Sequence, residues 1–597
     1  MTFDPARPFL FFDDARLSAA RRPGLLFSSP QRWIEARSAD AVPGALEEVE
    51  AAVAGGWWAA GYLAYEAAAA FEPRMRGETG AARKAGVAPL LRFGLFRQPL
   101  ETDWERLSAS WLTGRRAGVS ALSQDLDRSR YLSAIGRILD YIHAGDIYQA
   151  NFTYAVQGRL QGHPMALYDR LRRVQRMGEG ALLHEPAGDW ILSASPELFF
   201  ALTEGRLLAR PMKGTARRAA VTDEDLAVRR ELMDDPKNRA ENLMITDLIR
   251  NDLSRIAKPG SVEVRDPFSI ETYPTVHQMV TGVEAELRGD ASAVDVLRAM
   301  FPCGSITGAP KVRAGQIIAE TEAARRGIYT GSIGWISPQG HARFNVAIRT
   351  VEVAGSGLRL GVGGGIVADS DPEAEWQETR TKAAFLSASG RPFHLIETMR
   401  CEEGEVAHLD LHLDRLASSA AYFGFPRPDF EELTERLRGL CRAGEAAKIR
   451  LLYGSAGSVS VSSSHCPAPK DELTAAIVPL PVSADDVRLF HKTSDRAFYD
   501  DARRAAGTDE VIFIRPDGLL TEGSFTNLFV ARGESYATPP SRRGLLPGIL
   551  RAAMLREHRA QEADLTAADL EEGRVYLGNA LRGLLPVRLV ALPQGEF

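Results

Sequence analysis

The chain has 597 residues, about four times an ordinary domain of ~150 residues, so it must hold several hydrophobic cores. With 45% apolar and 25% charged residues it has the composition of an ordinary globular protein, which excludes long disorder. Against 78 Asp and Glu, 72 Lys and Arg leave a net charge of −6, too weak a field to argue for a nucleic acid or an anionic membrane as partner. The four cysteines, Cys303, Cys401, Cys441 and Cys466, are too few and too scattered for a disulfide framework or a CxxC zinc site, so a reducing compartment, the cytoplasm, is expected. The start MTFDPARPFLFFDDAR lacks a basic n-region followed by an apolar stretch. No run of about 18 uncharged apolar residues occurs, so no membrane span is expected.

Along residues 1 to about 120, short apolar runs (Leu25–Phe27, Gly56–Tyr65, Leu90–Phe96) between turn residues read as strands and short helices on the flank of a larger unit. From Tyr131 to Leu386, helical patterns at 131–143, 222–255, 290–300, 309–325 and 372–388 alternate with β-rich runs at 191–202, 329–337, 343–353 and 358–368. The strands are not paired one for one with helices, which favours an α+β layer fold over a doubly wound one. Residues 387–393, Ser-Ala-Ser-Gly-Arg-Pro-Phe, stop the last helix. The boundary is placed there, giving domains of 1–388 (with 1–120 its N-terminal part) and 394–597. The second domain opens with a strand and a helix over 409–423, closed by Gly424.

Several residues in the first domain carry chemistry. Glu241 has Met244, Ile245 and Leu248 at helical spacing, which puts a carboxylate on an apolar face, where it must be protonated, paired or metal-bound. Glu375 and Glu378 sit one turn apart with Lys382 following. Two such helices face to face would make an oxygen-only site suited to magnesium, while apart they are solvated faces with ordinary ion pairs. Ser195-Pro196-Glu197 follows a strand. Pro211 and Gly214 flank Lys213, which fits either a desolvated nucleophile or a solvated loop lysine. Gly361-Val-Gly363-Gly364-Gly365 fails the dinucleotide spacing and has no helix after it, so exposed amides that bind a carboxylate are expected.

Glu241 to Asp252 (ENLMITDLIRND), Phe301 to Lys311 (FPCGSITGAPK), Phe344 to Thr350 (FNVAIRT) and Gly363 to Pro372 (GGGIVADSDP) together resemble the chorismate-utilising enzymes, in that family's order. The resemblance implies layered β-sheets with flanking helices. It also implies magnesium on Glu241 and Glu378 with Glu375 in support, and chorismate held by Ser305, Tyr329, Arg349, the amides of Gly363, Gly364 and Gly365, and Lys382. Lys213 stands where similar anthranilate synthases have alanine and aminodeoxychorismate synthases have lysine. The implied mechanism has Lys213 adding to C2 while Glu197 protonates the departing C4 hydroxyl, after which ammonia enters at C4. Asn238 and Gln278, beside His277, depart from acid and histidine positions of the relatives. Leu25-Leu26-Phe27-Ser28-Ser29 lacks the tryptophan-feedback signature. No Gly-x-Cys-x-Gly elbow is present, so nitrogen is expected from a separate glutamine amidotransferase subunit or from free ammonia.

In the second domain, Lys492 lies among apolar and hydroxyl neighbours that can lower its pKa enough for Schiff-base formation. A hairpin from Val511 brings Glu522 to a strand end, where it could pair with a pyridine nitrogen. Gly544-Leu-Leu-Pro547-Gly548-Ile549-Leu550 turns into a helix whose free amides would bind phosphate. Residues 394–597 resemble the class IV pyridoxal-phosphate enzymes, an aminotransferase-like α/β fold. The resemblance implies Arg415 and Asn579, with Ile549 and Leu550, around the phosphate, Lys492 as the cofactor lysine, Glu522 at the pyridine nitrogen, and a homodimer through this domain. Leu550 replaces the threonine of branched-chain aminotransferases, which weighs against a plain transaminase, and the position after the first domain implies the activity of an aminodeoxychorismate lyase. Together the two resemblances imply conversion of chorismate and ammonia to 4-amino-4-deoxychorismate, then to 4-aminobenzoate and pyruvate for folate synthesis. The competing expectations are an anthranilate or isochorismate synthase joined to an aminotransferase, and an inactive scaffold for a glutaminase.

Overall fold

The computed structural model describes residues 3–591 except 17–20, 76–88, 110, 113–114, 116, 388–392, 442–445 and 469. The Gly390-Arg391-Pro392 stop that motivated the domain boundary lies outside the described residues. The chain forms two compact units. One comprises Met1–Arg217 with Arg229–Gly390; the other comprises Arg218–Val228 with Arg391–Phe597.

In the first unit, the described residues form two ten-stranded antiparallel sheets. Leu10, Phe27, Ala181, Leu183 and Ile191 of one sheet interleave with Ala60, Tyr62, Phe96 and Ile333 of the other in a shared apolar layer. The outer face of each sheet carries helices. Val42–Ala54, Pro236–Ser254 and Ala293–Met300 pack on one sheet, and Arg128–His143, Pro164–Gln175 and Pro372–Ala383 on the other. This is the expected α+β layering. Helix–sheet–sheet–helix burial satisfies both faces of each sheet, which strict one-sided alternation could not.

Local chemistry sets the breaks. The predicted 222–255 helix is two helices, Thr222–Asp234 and Pro236–Ser254, because Pro236 cannot continue a helix but suits the first position of a new one, capped by Asp235. The predicted 191–202 run is two strands, Trp190–Ser195 and Leu198–Thr203, interrupted by Pro196-Glu197. The glycine-rich run belongs to the β-rich stretch expected at 358–368. It lies within strand Gly357–Ile366, paired along one edge with the strand Gln149–Gly162 and along the other only from Gly357 to Leu360. The edge at 361–366 is left without a strand partner, which frees backbone groups there.

In the second unit the described residues form a four-stranded and a seven-stranded sheet, the latter with both parallel and antiparallel pairs. Helix Leu409–Phe423 ends at Gly424 in the left-handed region, as expected. The cysteines are not all unpaired: Cys401, on strand Leu395–Glu402, is bonded to Cys441, just beyond helix Phe430–Arg438. Forty residues of sequence separation hid a Cα–Cα distance of 5.7 Å. Among the described residues no helix is long and apolar enough to cross a membrane.

Candidate active sites

Lys213 sits on a β-bulge. In strand Met212–Arg217 the register against the neighbouring strand Val276–Glu286 jumps between Met212↔Val280 and Thr215↔Gln278, so Lys213 and Gly214 oppose a single residue. Gly214 takes φ +94°, and a Cβ there would press on Asn238 and Met279 at 3.0–3.2 Å. The bulge is pinned from behind: Asn242 Nδ2 donates to the Lys213 carbonyl and Gln278 Nε2 to that of Gly214. Gln278 thus supports the lysine backbone, Asn238 binds Asp235, and His277 pairs with Thr272.

Around the amine, the structure brings together residues from six segments. A Cβ on Gly365 would lie 2.5 Å from Lys213 Nζ, so only glycine lets the amine approach the strand. Burial lowers the Lys213 pKa, opposed by Glu241, Glu197 and Glu378 and assisted by Lys382. Buried Glu197 is pushed up to about 7 by desolvation, moderated by the hydroxyl of Ser305, which donates to its Oε1 at 2.7 Å, and by Lys213. Burial also raises Glu241 and Glu375, and Glu378 raises both further. Glu378 lies at the exposed rim, held low by Lys382 at 2.7 Å. Lys382 also donates to the Gly363 carbonyl, and Lys237 bridges to Asp369 across the mouth.

Arg349 is linked to Gln175 and lies near Tyr273, while Tyr329 packs against Gly361 and near Arg326. Among the described residues no hydrogen bond or ion pair joins these two side chains to the Lys213 cluster. Among the described residues no three His, Cys, Asp or Glu side chains form a ready metal site. Gln149 was not anticipated from the sequence. It is fully buried at the start of its strand, it adjoins Gly365 as Lys213 does, and neither end of its amide has a hydrogen-bond partner. A polar residue opening a strand carries no sequence signal, so only the fold exposes it.

In the second unit Lys492 opens into a cavity of about 460 Å³ whose lining includes Arg415, Glu522, Ser524, Gly548, Ile549 and Asn579. Burial, with Arg415 and Arg496 nearby, brings the Lys492 amine down to about 7. Burial pushes Glu522 up to about 8, although it accepts from Tyr499 Oη at 2.6 Å. Arg415 pairs with Glu397, which also accepts from His412; together they hold the Glu397 carboxyl down at about 2 against its burial. Asn579 is spent on its own loop, accepting from Leu581 and Arg582 and donating to Phe525. Leu550 packs against Phe529 and Met554. Among the described residues, the buried His412 Nε2 and Thr493 Oγ1 of the cavity have no hydrogen-bond partner. Lys448, Arg450, Arg496 and Arg582 make the lining strongly cationic.

Known proteins fit this division. A family model described as chorismate binding enzyme matches residues 11–388, and one described as amino-transferase class IV matches residues 394–590. Aminodeoxychorismate synthase component 1 of Salmonella typhimurium is 43% identical over 279 residues, 46% of this chain and 61% of that protein, so the chain spans less than two thirds of that relative's length. Anthranilate synthase component 1 of Haloarcula marismortui is 41% identical over 267 residues, 45% of this chain and 54% of that protein. The solved anthranilate synthase component I of Streptococcus pneumoniae shares the fold, with a TM-score of 0.53 at 22% identity over 65% of this chain and 94% of that one. The chain therefore belongs to the chorismate-binding enzymes and carries a class IV aminotransferase domain after that part.

Proposed function

We propose that the first unit converts chorismate and ammonia to 4-amino-4-deoxychorismate and that the second converts this product to 4-aminobenzoate and pyruvate. The observation that carries the reading is the approach of a desolvated Lys213 amine to a cluster holding Glu197, a carboxyl with its pKa near 7. A neutral amine can add to C2 of chorismate while protonated Glu197 gives its proton to the C4 hydroxyl, which leaves as water. Ammonia then bonds to C4 as the Lys213 nitrogen departs from C2 with its electron pair, which restores the ring diene. A glutamine amidotransferase partner would supply that ammonia. The unpaired amide of Gln149 lies beside the amine, able to hold a small polar reactant.

The carboxylate oxygens of Glu241, Glu375 and Glu378 suit magnesium, and the burial that raises Glu241 and Glu375, with Glu378 close to both, is what a divalent cation would offset. These three residues would hold the ion, which when bound neutralises a substrate carboxylate. In the second unit, the orphaned polar atoms and the free amides at the start of helix Ile549–Arg556 fit pyridoxal phosphate, with Lys492, Glu522, Arg415 and Ile549 as its holders. That group when bound supplies an electron sink for C–H cleavage. Lys492 Nζ is placed to take and return the proton, and Glu522 to hold one at its carboxyl. The cationic lining suits a substrate with two carboxylates better than an apolar amino acid.

Incubating the chain with chorismate, ammonium, magnesium and pyridoxal phosphate and identifying the aromatic product tests the reading: 4-aminobenzoate supports it. Anthranilate or salicylate, or amino-acid transamination without 4-aminobenzoate, overturns it.

A further inference from the structure

The second compact unit includes eleven residues, Arg218–Val228, that lie in the sequence between the strand carrying Lys213 and the helix carrying Glu241. We infer that this segment is a positioning element of the Lys492 pocket, acting through His491; the inference rests on the reading of that pocket as a pyridoxal-phosphate site.

The contacts are specific. The Ala220 carbonyl lies 3.2 Å from His491 Nε2, and Ser419 Oγ lies 3.0 Å from Nδ1. A carbonyl only accepts, so Nε2 carries the proton and Nδ1 accepts from Ser419. His491 is 3% exposed, and burial brings its pKa down to about 4, so the ring stays neutral and in one tautomer. Its other face is covered in series. Tyr422 packs on the imidazole with ring centroids 4.3 Å apart, and the Arg218 guanidinium lies 3.8 Å over the Tyr422 ring. Arg218 is itself fixed by Asp225 at 2.6 Å and donates to the Tyr422 carbonyl. Thr222 meets Ser418, while Ala220 and Val221 pack in the apolar cluster of Leu489, Phe490 and Tyr499. His491 adjoins Lys492, and Tyr499 donates to Glu522. The segment therefore braces the residues next to both groups proposed to hold the cofactor.

The groups that face Lys492 are Arg415, Arg496, Glu397, Glu522 and His412. None belongs to the segment, so a change at Lys492 on loosening it reports packing, since solvating the amine raises its pKa. In the full chain without cofactor, Arg218→Ala should raise backbone hydrogen exchange through 487–494 tenfold or more. It should also slow covalent capture of added pyridoxal phosphate, trapped at Lys492 with borohydride, fivefold or more, and move the pH midpoint of capture upward. Arg218→Lys should fall between this variant and the unchanged chain. Asp225→Asn, nearly isosteric, should move the same readouts in the same direction, and it decides the matter where Arg218→Ala does not fold. Capture in the unchanged chain, with exchange, rate and midpoint in the variants all within twofold of it, overturns the proposal alone. Absence of capture in the unchanged chain overturns the pyridoxal-phosphate reading, and the proposal falls with it.

Discussion

In the proposed reaction a lysine whose amine has lost part of its hydration and a carboxyl whose proton is retained near neutrality would act as nucleophile and acid, each side chain shifting the other's pKa. Glu197 is protonated below about pH 7 and ionised above it. As general acid it is competent only on the low side, so the rate of the synthase reaction should fall as pH rises through that value. Glu197→Gln should abolish this falling limb and lower kcat by about 10²–10⁴-fold; a pH–rate series on both proteins checks it. Lys213→Ala should stop aminodeoxychorismate formation from chorismate and ammonia while substrate binding persists, as read by product chromatography beside a binding titration. Lys213 was legible in the sequence because glycine and proline beside a lysine announce a constrained backbone. Asn242 and Gln149 were not, since an asparagine in a helix and a glutamine opening a strand mean nothing until the bulge and the glycine edge come to meet them.

The bulge and the glycine-rich strand do not stand alone. Beneath them Arg326, 3% exposed, pairs with Glu322 at 2.7 Å and donates to the carbonyls of Ile306 and Asn151, neighbours of Ser305 and Gln149. Truncating it would take the cation away from a buried carboxylate, which keeps only neutral partners such as the Thr153 amide, and would remove the donor to two carbonyls. Arg326→Ala should therefore cost about 3–5 kcal/mol, visible as a shift in the urea unfolding midpoint of the first unit. Most element types were legible from periodicity, including the helices at 131–143 and 409–423. Errors fell where proline cut a pattern, at 196 and 236. The Cys401–Cys441 bond was invisible for a different reason, since distance along the chain says little about distance between a strand and the end of a helix.

At the scale of the whole chain, the two chemistries should be separable by a single substitution. Lys492→Ala should abolish covalent cofactor capture and 4-aminobenzoate release while chorismate is still consumed, so that aminodeoxychorismate accumulates and an added independent lyase converts it. Consumption of chorismate, followed beside product identity, checks both halves at once. Candidate residues for the two sites could be named from the sequence because each set follows its family's order, but the membership of Arg218–Val228 could not, since a family boundary is drawn along the chain and a hydrophobic core is not. That discontinuity has a consequence for biogenesis. About 160 residues separate Val228 from Arg391, so at synthesis rates of about 5–20 residues per second the strip is made roughly 8–30 s before its partner residues begin to be made. Ala220 and Val221 wait through that interval without the apolar cluster that later encloses them. The strip cannot take its final place until the second unit is made, so the translation of residues 391–597 becomes a folding step for a segment made long before it.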